Sequence, residues 1–294
     1  MHRIRSFGED GPAGRLYVVA TPIGNLEDMT PRAIRALKEA DCIAAEDTRR
    51  TRQLMTHFGI SGRLVSYHEH NKRASGAELI RMLAEGKTVA LVSDAGMPGI
   101  SDPGQELVRL AAESGFPVVP IPGANAALAA LVVSGLATDR FLFLGFLPRD
   151  NKERRAVLER YRSVSATVVL YEAPHRLVRT LEQLLDHWGD RRIALVRELT
   201  KLHEEVLRGT VREALQELAE RPPRGEYVVV VEAPAAAETA QEENGRWWEG
   251  LAVPEHVRAY EARGLDRKEA IRRTAADRGV PKRDVYNEVV RTED

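Results

Sequence analysis

The chain has 294 residues, enough for two or three compact units, since hydrophobic cores rarely grow beyond the size of one typical domain. Its 43% hydrophobic and 30% charged residues are typical of a globular protein, and 43 basic against 44 acidic residues leave a net charge of -1. This balance excludes a protein-wide basic field for nucleic acid, so any cationic surface must be local.

The cysteine content and the composition of the first residues indicate a cytoplasmic protein. The single cysteine, Cys42, cannot form a disulfide within the chain, which fits a reducing compartment. Residues 1–15 carry basic charge without an apolar signal segment, and we expect them to be disordered. The apolar runs are all too short to cross a membrane, so we expect no membrane partner.

Residues 16–122 alternate short apolar runs with amphipathic stretches, which predicts an N-terminal α/β domain. The run LYVVA is typical of a buried strand, and Thr30 then caps a helix with Pro31 at its first position, where the missing N–H costs nothing. Helices are expected near residues 49–58, near 77–85 and before Ser114. Four further strands are expected in the runs CIAAE, RLVSYH, TVALVS and PVVPI. This alternation predicts a parallel-rich sheet covered on both faces.

Residues 123–233 continue the alternation and predict a C-terminal α/β domain. Its strands are expected in the runs FLFLGFL, TVVLYEA, RIALVREL, EEVLRG and EYVVVVE. RIALVREL and EEVLRG are joined too briefly for a crossover helix, so we expect an antiparallel pair and a mixed sheet. Residues 234–253, rich in alanine and acid, are predicted to be a linker. Residues 254–294 are predicted to form a small helical domain in which two helices resemble a helix-turn-helix.

Three loops rich in glycine and proline follow strands, in the stretches ATPIGNLED, DAGMPGISDPG and VPIPGANAA. Loops at the carboxyl ends of parallel strands are where α/β sheets bind ligands. The dinucleotide fingerprint and the P-loop signature are both absent. S-adenosylmethionine, with a purine, a ribose and a positive centre, would favour the aspartates and backbone carbonyls found here. The alternative is that these residues only make tight turns.

Several long motifs occur in an order that resembles a known family. They are LYVVATPIGNLEDMTPRA, AAEDTRRTRQLM, ALVSDAGMPGISDPG, VPIPGANAA, FLGFLPR, YEAPHRL, RELTKLHEE and RGEYVVVVE. Over about residues 16–232 the chain is similar to the ribosomal RNA small subunit methyltransferase I family of the tetrapyrrole methylase superfamily. The resemblance implies a two-domain α/β tetrapyrrole-methylase-like fold, a homodimer, and S-adenosylmethionine bound in the cleft between the domains. It also implies methylation of the ribose 2′-oxygen of a cytidine in the decoding region of 16S rRNA in the small ribosomal subunit.

The same resemblance implies the residues of the cofactor cleft. They are Pro22, Gly24, Asp94, Ala95, Gly96, Ile100, Ser101, Asn125, Ala126, Tyr171, Glu172, Gly225, Glu226 and Tyr227.

Methyl transfer to a hydroxyl requires a group that accepts the hydroxyl proton. Our hypothesis is that Glu46 or Asp102 does so, with Asp47, Glu172, His175, Glu198 and Lys201 as further candidates. A lone carboxylate near an arginine is more often a structural ion pair. No clustered ligand set is present in the sequence, so we predict no metal site.

Binding a folded RNA requires cations for its phosphates. Two clusters follow strands that are expected to frame the cleft: Arg49, Arg50 and Arg52, and Arg149, Lys152, Arg154 and Arg155. Charged helix faces are usually only solvated, and acids interleave with the tail cations Arg272, Arg273, Lys282 and Arg283.

Three other functions compete with rRNA methylation. One is methylation of a tetrapyrrole or other small molecule by the same fold, which gives no reason for the helical tail. Another is a nucleic-acid-binding regulator that reads DNA with its C-terminal helices, although the near-balanced charge of the tail argues against a strong phosphate footprint. The third, a nucleotide-dependent oxidoreductase, lacks its fingerprint.

Overall fold

A computed structural model of the chain describes residues 14–234, 248, 250–262 and 265–291. The chain divides into two compact units, Met1–Ala233 and Pro234–Asp294. Most of residues 1–15, which are expected to be disordered, lie outside the described residues. Most of the linker predicted at residues 234–253 lies outside them as well. The boundary at residues 122 and 123 falls inside the first unit and stays a prediction.

The first sheet of the larger unit is entirely parallel, as the alternation predicts. Its spatial order is β3-β2-β4-β1-β5. The strands are β1 Leu16–Val19, β2 Cys42–Ala45, β3 Arg63–Ser66, β4 Val89–Val92 and β5 Val118–Ile121. Residues of β2 and β4 are buried on both faces, which explains why these strands are continuous apolar runs.

Helices cover both faces of this sheet: α1 Pro31–Glu39, α2 Thr48–His57, α3 Lys72–Ala84 and α4 Gly104–Glu113. Thr30 caps α1 as predicted, its hydroxyl accepting a hydrogen bond from the Ala33 N–H. Helix α3 begins at Lys72 rather than near residue 77. Its first turn lacks an apolar stripe, and Lys72 is held instead by ion pairs with Glu69 and Glu106.

The second sheet is mixed, with the order β6-β7-β10-β8-β9. Its strands are β6 Phe141–Phe146, β7 Thr167–Glu172, β8 Arg192–Arg197, β9 Glu205–Thr210 and β10 Tyr227–Val231. Strands β8 and β9 pair antiparallel as predicted, β6 and β7 pair parallel, and β10 pairs antiparallel with both β7 and β8. The helices are α5 Ala126–Ser134, α6 Asn151–Tyr161, α7 Pro174–Trp188 and α8 Val211–Glu220.

Three helices form the described part of the smaller unit: α9 Val253–Ala262, α10 Arg267–Arg278 and α11 Lys282–Arg291. They share a small core around Val257, Ile271 and Val285. The pair α10 and α11 corresponds to the predicted helix-turn-helix, with Gly279 ending α10 in the left-handed conformation. Among the described helices, none combines the length and the apolar character needed to span a bilayer.

Candidate active site

A cavity of about 660 Å³ lies in the larger unit and is lined by loops that follow strands of the first sheet and by strands and loops of the second. Loops after β2, β4 and β5 meet the ends of β7 and β10 there, as expected for the carboxyl edge of a parallel sheet. Most residues that the resemblance implies for the cleft line it: Asp94, Ala95, Gly96, Ile100, Ser101, Asn125, Ala126, Tyr171, Glu172, Glu226 and Tyr227. Pro22, Gly24 and Gly225 do not line it, although their neighbours Ile23 and Glu226 do.

The loop after β4 is folded around its own carboxylate. Both oxygens of Asp102 lie 2.9 Å from the Gly99 N–H, and Oδ1 also accepts a hydrogen bond from the Gly104 N–H at 2.7 Å. Ser101 has a positive φ of 64°, a conformation that non-glycine residues seldom adopt. Asp102 therefore holds the turn that leads into α4.

Asp94 joins the loop after β4 to the loop after β2. Its Oδ1 accepts a hydrogen bond from the Asp47 N–H at 2.9 Å, and its Oδ2 lies 3.4 Å from Nη1 of Arg50. Two loops distant in sequence thus share one wall of the cavity.

The loop after β1 contacts the hairpin loop between β8 and β9. The Asn25 N–H donates a hydrogen bond to Thr200 Oγ1 at 3.1 Å. A Cβ added to Gly24 would lie 2.5 Å from Lys201 Cγ, so only glycine permits this close approach. Gly24 shapes the site by letting the two sheets meet.

Two carboxyl groups in the cavity have raised pKa values. Burial raises the pKa of Glu46, and the nearby charges of Asp94 and Asp102 raise it further. Burial also raises the pKa of Asp102, against the opposing effect of the Gly99 and Gly104 N–H groups. Raised carboxyl pKa values are typical of proton-transfer sites. Asp102 differs from Glu46 because its oxygens already accept several backbone hydrogen bonds.

The other candidates for proton transfer either form hydrogen bonds with neighbouring residues or lie at the exposed rim of the cavity. Hydrogen bonds from Arg49 lower the pKa of Asp47 to about 2. Glu172 is buried and accepts hydrogen bonds from the Ala173 N–H and the Thr180 hydroxyl. His175, by contrast, is exposed and lines the cavity.

Lys201 and Glu198 form an ion pair at 3.0 Å. Burial opposes the charge of Lys201, but hydrogen bonds to Glu226 and Glu198 outweigh it and raise the pKa of the ammonium. Lys201 is therefore charged at neutral pH and is not the neutral lysine that proton acceptance requires.

The first cationic cluster lies beside the cavity. Arg50 lines it, while Arg49 and Arg52 border a shallow surface depression on α2. In the second cluster, Arg149, Lys152 and Arg155 are exposed. Arg154 requires a correction, because it is only 2% exposed and its guanidinium donates to Gln183 Oε1, Asn151 Oδ1 and the Pro148 carbonyl. It packs inside the unit and is not available to a phosphate.

Several cavity residues were not predicted from the sequence. They are Ile23, Ser93, Met97, Phe146, Ala173, Pro174, Val196, Leu199 and Val228. Most of them lie one or two positions from a residue that is predicted to line the cleft. Their place next to that residue in the sequence is the signal that could identify them. Phe146 lies within the motif FLGFLPR, for which the sequence predicts only a strand.

Comparison with known proteins agrees with this architecture. Residues 15–215 match the family model of the tetrapyrrole (corrin/porphyrin) methylases. A protein of Halalkalibacterium halodurans named ribosomal RNA small subunit methyltransferase I is 54% identical, with 96% of this chain and 97% of that protein aligned. A Bacillus subtilis protein of the same name is 51% identical over 98% of both chains.

Solved structures share the fold at low sequence identity. Diphthine synthase is 19% identical with a TM-score of 0.58, over 75% of this chain and 90% of that chain. The uroporphyrin-III C-methyltransferase of Thermus thermophilus, complexed with S-adenosylhomocysteine, is 23% identical with a TM-score of 0.54, over 74% of this chain and 97% of that chain. The family match and the near full-length relatives establish that the chain belongs to the tetrapyrrole methylases.

Proposed function

We propose that the chain is a cytoplasmic S-adenosylmethionine-dependent methyltransferase of the small-subunit ribosomal RNA. Its acceptor would be the ribose 2′-oxygen of a cytidine in the decoding region of 16S rRNA, within the small ribosomal subunit. The cavity with its two raised-pKa carboxyl groups carries the proposal. The relatives that align over nearly the whole chain are named for rRNA methylation, which supports this class of substrate.

The residues of the cavity fit S-adenosylmethionine. The carboxylate of Asp94 suits a positively charged ligand, and apolar side chains such as Met97 and Leu199 suit a purine. When bound, this cofactor supplies a methyl group on a positively charged sulfur. Walls formed by loops of the first sheet and by the second sheet would hold the cofactor and the acceptor hydroxyl in one geometry, which is the main requirement of an in-line transfer.

We propose Glu46 as the group that accepts the hydroxyl proton. A base works best when its pKa lies near the working pH, and the environment of Glu46 shifts its pKa in that direction. Asp102 is assigned a positioning role, because its hydrogen bonds to Gly99 and Gly104 set the shape of the loop after β4. His175 is the alternative acceptor at the rim.

The cationic residues around the cavity would bind the phosphates of the RNA. Charge reversal at Arg49 and Arg50 should weaken RNA binding more than cofactor binding, and equal loss of both would contradict the assignment. Because Arg50 also contacts Asp94, the single change Arg49→Glu should separate the two effects more cleanly. Arg81→Glu, an exposed change on α3 outside the cavity lining, is the matched control.

We further propose that the protein is a homodimer. Helix α5 is almost entirely apolar, yet Val132 is 73% and Leu128 is 47% exposed. These residues are four apart and share one face of the helix. An exposed apolar face of this kind is typical of an interface between protein chains.

Methyl transfer from labelled S-adenosylmethionine to small ribosomal subunits that lack the modification tests the function. Label on a cytidine 2′-oxygen of the decoding region would support substrate and reaction together. Tight cofactor binding without transfer to RNA would favour the alternative, methylation of a tetrapyrrole or other small molecule. RNA or DNA binding without cofactor binding would favour the regulator that uses its C-terminal helices.

A further inference from the structure

An aromatic ring stands exposed in the wall of the cavity. Phe146, the last residue of β6, lines the cavity and is 55% exposed. It is much more exposed than Tyr171 or Tyr227, the two tyrosines of the cavity lining. The mechanism described above leaves this open ring without a role.

The ring of Phe146 is held in place from one side. It meets the ring of Tyr171 edge to face, with centroids 5.5 Å apart, and Tyr171 in turn meets Phe143 at 4.9 Å. The β-bulge between Phe143 and Gly145 shifts the register of β6 just before Phe146. A supported ring with an open surface is what a stacking platform for a planar ligand requires.

Three cationic residues follow Phe146 closely in the sequence. They are Arg149, Lys152 and Arg155, which lie within the stretch 147–155 and are all exposed. Among the described residues, none of the three forms an ion pair, whereas Arg49 pairs with Asp47 and Arg50 with Asp94. An unpaired cationic stretch next to an exposed aromatic ring is the pattern used to bind single-stranded nucleic acid.

We propose that Phe146 stacks on the nucleobase of the acceptor nucleotide, while Arg149, Lys152 and Arg155 bind the phosphates beside it. The inference rests on the proposed function and names the subsite that would hold the acceptor. Stacking on an unpaired base places the attached ribose at the cavity, where Glu46 lies. Because every base has a π-face, this contact orients the nucleotide without selecting its identity.

The experiment measures methyl transfer to unmodified small ribosomal subunits and, separately, S-adenosylmethionine binding by calorimetry. Phe146→Ala should lower kcat/KM for the subunits about tenfold to a hundredfold, the range of base stacking on an aromatic ring, and leave cofactor affinity within about twofold. Phe146→Trp should restore activity and Phe146→Leu should not, because leucine is apolar without a π-face. Phe141→Ala is the matched control, since Phe141 is 44% exposed at the other end of β6 and lies outside the cavity lining.

Three results from the Phe146 variants would overturn the proposal, and a fourth, from the unaltered protein, would overturn the function on which it rests. Equal behaviour of Phe146→Ala and Phe141→Ala would remove the stacking role, and rescue by Phe146→Leu would reduce it to apolar contact. Parallel loss of cofactor binding would assign the ring to the purine of the cofactor. Failure of the unaltered protein to methylate the subunits would remove the proposed function itself, and that result is distinguishable because it appears before any variant is compared.

Discussion

Ser101 meets the backbone of Gly145 beside the cavity, where a Cβ added to Gly145 would lie 3.1 Å from Ser101 Oγ. The contact joins the loop after β4 to the bulge in β6. Both residues have a left-handed backbone, with φ of 64° at Ser101 and 63° at Gly145. An alanine at Gly145 is therefore strained by its own backbone and by its neighbour.

Gly145→Ala should lower both stability and cofactor affinity. The backbone conformation alone costs about 1–2 kcal/mol, and displacement of Ser101 adds to that. Gly59→Ala is the control, because Gly59 has a φ of 57° and, apart from its chain neighbours, the described residues place no atom within 4 Å of an added Cβ. Thermal unfolding and calorimetry should show a larger loss for Gly145→Ala and normal cofactor binding for Gly59→Ala. Identical losses in the two variants would mean that the contact contributes nothing.

Glu46→Gln should lower kcat about 10²- to 10⁴-fold with little change in cofactor affinity, because it removes the proposed proton acceptor. In the unaltered protein the rate should fall as the pH drops through the pKa of Glu46, since the base works only when ionised. That pKa is raised above 4.5, so the acid limb should lie above the range of an ordinary glutamate. The limb should vanish in Glu46→Gln. If His175→Asn removes it instead, His175 is the base.

The same substitution should raise stability near neutral pH. The folded-state pKa of Glu46 is raised by burial and by two neighbouring carboxylates, so ionisation opposes folding. This cost is absent at pH values below the unfolded-state pKa and is complete above the folded-state pKa. Glu46→Gln should therefore melt higher than the unaltered protein at pH 7 and not at pH 4. An equal or lower melting temperature at pH 7 would contradict the burial of this charge.

The sequence predicts the alternating strands well, because buried parallel strands are continuous apolar runs and helices are amphipathic. It predicts side-chain environments less well. Arg154 and Arg155 are adjacent and chemically alike, and only packing against Gln183 shows that one is buried. The position of Phe146 in the cavity wall does not follow from the sequence, because the bulge in β6 shifts the register and alters which face later residues occupy. Bulges have no reliable sequence signal.

Val132→Glu should convert the proposed homodimer to a monomer. The charge would lie in the centre of the exposed apolar face of α5, where its desolvation opposes association. Val178→Glu on α7 is the control, because Val178 is also exposed but lies outside that helix. Sedimentation velocity should give a lower mass for Val132→Glu alone. A monomeric unaltered protein would contradict the dimer directly.

Arg154→Ala and Arg155→Ala should have opposite consequences, although the two residues are neighbours in α6. Removing the buried guanidinium leaves Gln183 and Asn151 without their donor, which should cost about 3 kcal/mol of stability. Arg155 is exposed, so its loss should leave the melting temperature unchanged while weakening RNA binding and reducing the dependence of affinity on salt. Thermal unfolding and RNA-binding titrations at several salt concentrations separate the two effects. If Arg155→Ala binds RNA with an unchanged salt dependence, helix α6 does not contact the phosphates.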